Sequence, residues 1–305
     1  MQKKFVFFFS TLLVVAFLIG CSPAAESGTT GLIDGLGREV TLASPAVRIV
    51  SLSPSNTEIL YAVGAGAQVV GRDSFSDYPE EASSLADIGG GYSEYNLEQI
   101  VALEPDLVLA AEINTAELVQ SIEDLGIPVF YISNPLTFED LYKNIENVGL
   151  LTGQTDNAQV AIDSIRTRVD AVVAAIAETD TTPVVFYELD ATDPSKPYTP
   201  GPNTFYSTLI SMAGGKNVGD ALSSAWAQIS LEELVIQDPD IILLGDSLWG
   251  ITPESVGERE GWSSLSAIDE GNVLPFDDNL LARPGPRLVD GLEALAQVLH
   301  PEVFD

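Results

Sequence analysis

One stretch of this chain occurs twice, and each copy dictates the same local fold. Asn96 to Ala110 reads N-L-E-Q-I-V-A-L-E-P-D-L-V-L-A, and Ser230 to Leu244 reads S-L-E-E-L-V-I-Q-D-P-D-I-I-L-L. Leu97, Glu98, Val101, Pro105, Asp106 and Leu109 match Leu231, Glu232, Val235, Pro239, Asp240 and Leu243. Each copy predicts a short helix, a Pro-Asp stop and a buried strand. Proline cannot continue a helix, and the residue before it is biased toward extended backbone. The short aliphatic run that follows suits a parallel strand covered on both faces. The plain explanation is a chance match between two common α/β units. The sharper one is two similar lobes, each presenting a glutamate, Glu98 or Glu232, at the start of a matching helix.

The rest of the chain fits the lobed reading. In the first half, Val47–Leu52 reads as a strand, broken by Ser53-Pro54-Ser55-Asn56. Asn56 or Ser55 is expected to cap a helix from Thr57 to about Val63. A short strand over Gln68–Gly71, the first repeat copy, a helix near Thr115–Leu125 and a strand over Ile127–Ile132 follow. Strands and helices alternating at this spacing predict a parallel, doubly wound sheet. Phe138–Leu151 and Thr155–Thr179 read as helices. The second is long and amphipathic, with Ile162, Ile165, Val169, Val172 and Ile176 on one stripe. It is long enough to cross between lobes, or else it is one more cover on a single large sheet. A strand at Val184–Glu188, a long loop over Leu189–Thr204, a helix at Phe205–Met212, the second repeat copy, a strand at Asn272–Phe276 and a helix from about Arg287 to Val298 complete the second half.

Several chemistries are excluded or disfavoured by counting. The only histidine is His300 and the only cysteine is Cys21, so a zinc site of several His or Cys ligands and an internal disulfide are ruled out. A Ser-His-Asp site would have to use His300, next to Pro301 and near the end of the chain. Gly89-Gly90-Gly91 forms neither a dinucleotide fingerprint nor a phosphate loop, and reads as a flexible or close-packed turn. The net charge of −32, from 45 acidic and 13 basic residues, argues against nucleic acid and anionic lipid surfaces. Acid pairs such as Asp190 with Asp193, or Asp277 with Asp278, leave open a surface-anchored hydrolase with paired carboxylates. In a sheet of this kind ligands bind beyond the carboxyl ends of the strands, so loops holding Pro54, Phe75, Tyr78 and Tyr92 are expected near a site.

Residues 1–20 read as a membrane-targeting leader, with Lys3 and Lys4 before the apolar stretch Phe5–Ile19. It ends at Leu18-Ile19-Gly20-Cys21. This resembles the lipobox of bacterial lipoproteins, and the resemblance implies removal of the leader and lipid attachment at Cys21. Ser22–Gly31 is small and polar and reads as a flexible tether.

Together the motifs resemble the periplasmic-binding proteins of ABC importers for cobalamin and ferric siderophores. They are Arg48-Ile49-Val50-Ser51-Leu52-Ser53-Pro54-Ser55-Asn56-Thr57-Glu58, Ser76-Asp77-Tyr78-Pro79, Asn96–Leu109, Ala213-Gly214-Gly215-Lys216-Asn217-Val218 and the Arg283–Arg287 region. The resemblance implies an α/β fold of two Rossmann-like lobes with parallel-type sheets, joined by a single long rigid helix. The expected division is a leader over 1–20, a tether and lead-in over 21–45, an N-terminal lobe over 46–152, a connecting helix over 153–180 and a C-terminal lobe over 181–305. It also implies ligand capture between the lobes, with no catalysis, no metal site and no cofactor. The expected ligand is cobalamin, or else a hydroxamate-type ferric siderophore or haem. A neutral or cationic ligand suits the scarcity of basic residues. The implied ligand contacts are Pro54, Asn56, Phe75, Tyr92, Tyr198, Trp226, Asn279 and Arg283. Glu98 and Glu232 stand where the family meets arginines of its permease. The expected partners are that permease, its ATPase subunits and a membrane reached through Cys21, with the chain exported and monomeric. Two departures concern stacking surface: Ala111 stands where the cobalamin branch has a tryptophan, and Leu280-Leu281 stands where it has Trp-Phe.

Overall fold

A computed structural model describes residues 30–304. The leader, Cys21 and most of the tether therefore lie outside the described residues. Two parallel sheets form the two lobes. The first has the strand order Ala86–Asp87, Val69–Arg72, Ile49–Ser51, Leu107–Ala111, Val129–Ile132, and every neighbouring pair is parallel. The second has the order Lys216–Asn217, Val184–Glu188, Ile241–Leu244, Val273–Pro275, again parallel throughout. Leu107–Ala111 is buried at every position, as a strand covered on both faces must be.

The repeated Pro-Asp unit pins the start of a neighbouring strand. The Asp106 carboxylate accepts from the backbone N–H of Val47 and Arg48, at 2.9 and 3.0 Å. Asp240 accepts from Val184 N–H at 2.7 Å. Each aspartate thus satisfies donors at the beginning of the strand lying beside its own. The residues before the two prolines do not become extended, contrary to expectation. Glu104 and Asp238 take φ of 46° and 42°. The chain leaves each helix through a left-handed turn, and tertiary contacts hold it there. Arg48 Nε donates to the Glu104 carbonyl at 3.1 Å, and Asp238 accepts from Ser266 N–H and Oγ at 2.9 and 2.8 Å.

Other boundaries shift for local reasons. The first helix runs Pro54–Ala62, with Ser53, not Ser55 or Asn56, as its cap. Pro54 suits the first helical position because its fixed φ is already helical and its missing N–H is one that no partner would have used. Gly31 belongs to a hairpin of Thr30–Ile33 with Glu39–Leu42 rather than to a tether. Its turn docks on the first sheet through Gly35 N–H to the Tyr131 carbonyl, 2.7 Å. The loop expected over Leu189–Thr204 contains a strand, Tyr198–Pro200, paired antiparallel with Trp226–Gln228. Gly89, Gly90 and Gly91 all have positive φ, of 81°, 92° and 65°. A Cβ on Gly91 would lie 1.9 Å from the Phe75 ring, so this turn is close-packed and requires glycine.

The connecting helix, Thr155–Ile176, has 22 residues and is about 33 Å long at the standard rise. It packs against the first-lobe helix Phe138–Thr152 and the second-lobe helix Leu288–Leu299. One apolar core runs from Ile145 and Leu151 through Ile162, Ile165 and Val169 to Leu292 and Leu295. Arg166 lies over the Tyr142 ring at 4.6 Å on the first-lobe side. Arg168 donates to Glu293 and Asp290 at 2.8 and 2.6 Å on the other. A helix anchored at both lobes by packing and charge is a stiff link rather than a loose hinge. No helix among the described residues is long and apolar enough to cross a membrane.

Candidate functional site

A cleft of about 480 Å³ opens between the lobes, at the carboxyl ends of the parallel strands where such folds bind ligands. Its first-lobe wall is Ser53, Pro54, Ser55, Ala111, Glu112, Ile113 and Asn134. Its second-lobe wall is Phe205, Tyr206, Trp226, Ala282, Arg283 and Pro284. The two walls differ in chemistry: one is small and polar, the other aromatic.

The polar wall rests on a buried hydroxyl network. Thr57 Oγ1 lies 2.8 Å from both Ser51 Oγ and Ser76 Oγ. Ser76 Oγ donates to Asp73, and Ser53 Oγ lies 3.1 Å from Ser55 Oγ. Burial pushes the Asp73 carboxyl up, against the bond from Ser76. Nearby, Tyr95 donates to the Leu52 carbonyl at 2.8 Å and accepts from Asn114 Nδ2 at 2.8 Å. Burial, with the charge of Asp73 adding, pushes the Tyr95 hydroxyl up to about 12. These side chains hold the strand ends in one arrangement, because an unpaired buried hydroxyl would cost far more than a paired one.

The aromatic wall is braced from behind. Trp226 meets the Tyr206 ring edge-on at 5.7 Å and Phe205 at 6.3 Å. Tyr206 and Tyr187 both donate to the same oxygen of Asp278, each at 2.8 Å. Burial, with the Asp278 charge adding, raises both phenols well above their ordinary value. Trp226 itself is half exposed and faces the cleft.

Two arginines of the second lobe grip the first. Arg287 donates to both oxygens of Glu58, at 2.9 and 2.6 Å, and lies over the Tyr78 ring at 4.1 Å. Arg283 donates to Asp77 and stands 3.8 Å from Glu58. Glu58 is buried, and desolvation raises its carboxyl even though Arg287 opposes the shift.

Of the ligand contacts expected from sequence, the structure brings Pro54, Trp226 and Arg283 together on the cleft surface. Tyr198 lies beside it, sharing a face of the antiparallel ribbon with Trp226 by strand alternation. Phe75 and Tyr92 pack edge-to-face at 5.3 Å, outside the cleft lining. Asn56 is fully enclosed rather than displayed. Asn279 turns onto Asp277 at 2.9 Å. Among the cleft residues that sequence reasoning missed are Phe205, Tyr206, Glu112 and Asn134. Glu112 directly follows Leu107–Ala111 and Asn134 lies two residues past Val129–Ile132, both strands that end at the cleft, so their positions were a usable signal. Leu281 is fully buried in the core and presents no surface to a ligand, and Ala111 lines the cleft as a small residue.

Glu98 and Glu232 are both exposed, each in the first turn of its repeat helix. Asn96 and Ser230 cap those helices equivalently, accepting from Gln99 and Glu233 N–H at 3.0 and 3.1 Å. The paired acids serve turns and braces: Asp190 accepts from Thr192 N–H at 2.6 Å and Asp193 from Ser195 N–H at 3.0 Å. His300 is fully buried against Gly214, outside the cleft lining.

Comparison with known proteins agrees with this architecture. The periplasmic binding protein family model matches residues 49–280. The chain is 32% identical, over all of its own length and 99% of the relative's, to the ABC transporter substrate-binding lipoprotein YvrC of Bacillus subtilis. It is 32% identical to a cobalamin-binding protein of Halobacterium salinarum, covering 88% of this chain and 73% of that one. Among solved structures, the periplasmic vitamin B12-binding protein of Vibrio cholerae superposes with a TM-score of 0.73 at 26% identity, covering 84% and 98% of the two chains. A periplasmic heme-binding protein of Roseiflexus superposes with a TM-score of 0.75 at 27% identity, covering 84% and 98%. The chain belongs to the periplasmic binding protein family.

Proposed function

We propose that this chain is the substrate-binding protein of an ABC importer and that it captures a corrinoid, cobalamin or a close relative, between its lobes. The observation that carries the reading is the cleft itself, walled on one side by Trp226 over Phe205 and Tyr206. A flat, largely apolar macrocycle stacks well on such a surface. The relatives named for binding cobalamin support the same ligand. The chain acts by binding and delivery rather than by catalysis, and its partners are a permease and that permease's ATPase subunits. Cys21 carries the lipid that holds the exported protein at the membrane surface.

The repeat supplies the docking geometry. A two-fold permease meets a pseudo-symmetric binding protein at equivalent points, and Glu98 and Glu232 stand exposed at equivalent points of the two lobes. Arg–carboxylate pairs suit such contacts because the fork of the guanidinium fixes orientation as well as charge. The test is uptake of labelled cyanocobalamin by cells whose only binding protein is this chain. Wild type is expected to support uptake. The double variant Glu98→Ala, Glu232→Ala is expected to lose uptake and keep its ligand affinity. Unchanged uptake by the double variant would remove the docking assignment, and no uptake with wild type in the presence of its cognate permease would remove the corrinoid.

A further inference from the structure

The cleft carries a fixed, unneutralised carboxylate. Among the residues lining the cleft and the recess that continues it past Asn203 and Ala225, the charged side chains are Glu112 and Arg283. Arg283 is committed elsewhere: it donates to Asp77 and stands 3.8 Å from Glu58. Glu112 directly follows the first repeat strand, Leu107–Ala111. One of its oxygens accepts from the Asn134 backbone N–H at 3.0 Å, which orients the group. The residue is exposed, so the other oxygen is available to a ligand. Across the cleft stand Phe205, Tyr206 and Trp226. The site is therefore amphipathic by wall: an aromatic surface for a flat apolar face, opposite an anchored acceptor.

We propose that Glu112 is a specificity-determining residue, selecting ligands whose edge presents N–H donors, carboxamides or amines, against otherwise similar ligands whose edge presents carboxylates. The inference rests on the corrinoid reading of the cleft and names the edge chemistry that this cleft accepts. A carboxylate accepts N–H donors strongly and repels a second carboxylate, and between two protein walls both effects exceed their values in open water. With a net charge of −32 on the chain, no surplus of cations offsets the repulsion. A macrocycle rimmed with carboxamides fits this wall, and one carrying propionate carboxylates does not. Glu112 takes the place next to Ala111, where stacking surface is lacking, so discrimination on this wall is polar rather than aromatic.

The experiment is calorimetric titration of wild type and Glu112→Gln with cyanocobalamin and with its monocarboxylic acids, each having one peripheral carboxamide hydrolysed. Glutamine keeps the size of the side chain and an oxygen to accept from Asn134, so the variant is expected to melt at the wild-type temperature. Wild type is expected to bind at least one monoacid about tenfold or more weakly than cyanocobalamin, on the scale of one charged hydrogen bond lost. Glu112→Gln is expected to bring that monoacid to within about threefold of cyanocobalamin. Equal binding of all the acids by wild type, or undiminished discrimination by Glu112→Gln, would overturn the proposal and leave the corrinoid reading standing. If wild type binds no corrinoid, that reading falls alone. The same two proteins are then titrated with a ferric hydroxamate bearing a free amine and with the same chelate succinylated at that amine. Preference for the amine, lost in Glu112→Gln, supports the role of Glu112. Equal binding, preference for the acid, or binding of neither probe overturns it.

Discussion

Among the described residues, Glu58 and Glu188 are buried and paired with arginines. Glu58 meets Arg287 across the lobe junction. Glu188 meets Arg259 within the second lobe, at 2.6 and 2.8 Å, and Arg259 stacks on Trp262 at 4.5 Å. Each pairing joins positions far apart in the chain, brought together where loops converge. Breaking such a pair strands a charge in a desolvated place, so neither partner is freely replaceable. Asp246 adds a second buried carboxylate beside Glu188, and one of its oxygens has no partner. Burial, then the charge of Glu188, pushes the Asp246 carboxyl up to about 7 from an ordinary 3.8. The folded state therefore favours protonated Asp246. Its contribution is fully present below about pH 4 and is lost as the pH rises through about 7. Asp246→Asn should remove that loss. Its melting temperature should exceed that of wild type by a few degrees at pH 8, with the excess fading by pH 4. Thermal unfolding of both proteins across that range checks the sign, and an excess that grows on acidification contradicts the assignment.

At the scale of elements, the repeat was legible because helix, stop and strand each carry their own signal. Apolar spacing, proline and an aliphatic run are local properties, and both copies form the helix, the stop and the strand, although the residue before each proline turns left-handed rather than extended. The reason for the shape the two copies share was not legible, because it lies in a neighbouring strand: Asp106 and Asp240 bind the first N–H groups of strands that precede them in the chain. Asp106→Ala should leave two donors at the start of Ile49–Ser51 without their side-chain partner and cost about 1–2 kcal/mol, the range for a lost cap. Urea unfolding measures this, and a variant as stable as wild type would show that water replaces the carboxylate at no loss. The antiparallel ribbon of Tyr198–Pro200 with Trp226–Gln228 escaped sequence reading for a related reason. Each strand is short, Pro197 and Pro200 punctuate the first, and only the pairing gives either an extended identity. That ribbon is what carries Trp226 to the cleft, so the site was less legible than the fold.

For the whole molecule, the decisive feature is a core that does not stop at the lobe boundary. The connecting helix carries one apolar stripe into both lobes, Arg166 and Arg168 hold it on each side, and Arg283 and Arg287 close the junction from the second lobe. A ligand entering between lobes so fixed meets a largely preformed cleft, and a preformed site loses little affinity to ordering. The helix was readable from its periodicity, whereas the lobe-to-lobe grip was not, since it is made by side chains that touch only after both lobes exist. The proposed ligand is a corrinoid held against Trp226. Calorimetric titration of residues 22–305 with cyanocobalamin, for wild type and for Trp226→Ala, tests it directly. Wild type is expected to bind saturably, one to one, at about 1 μM or tighter, and Trp226→Ala about thirtyfold more weakly, as for the loss of an aromatic anchor. No saturable binding by wild type, or equal affinity in the two proteins, would contradict it.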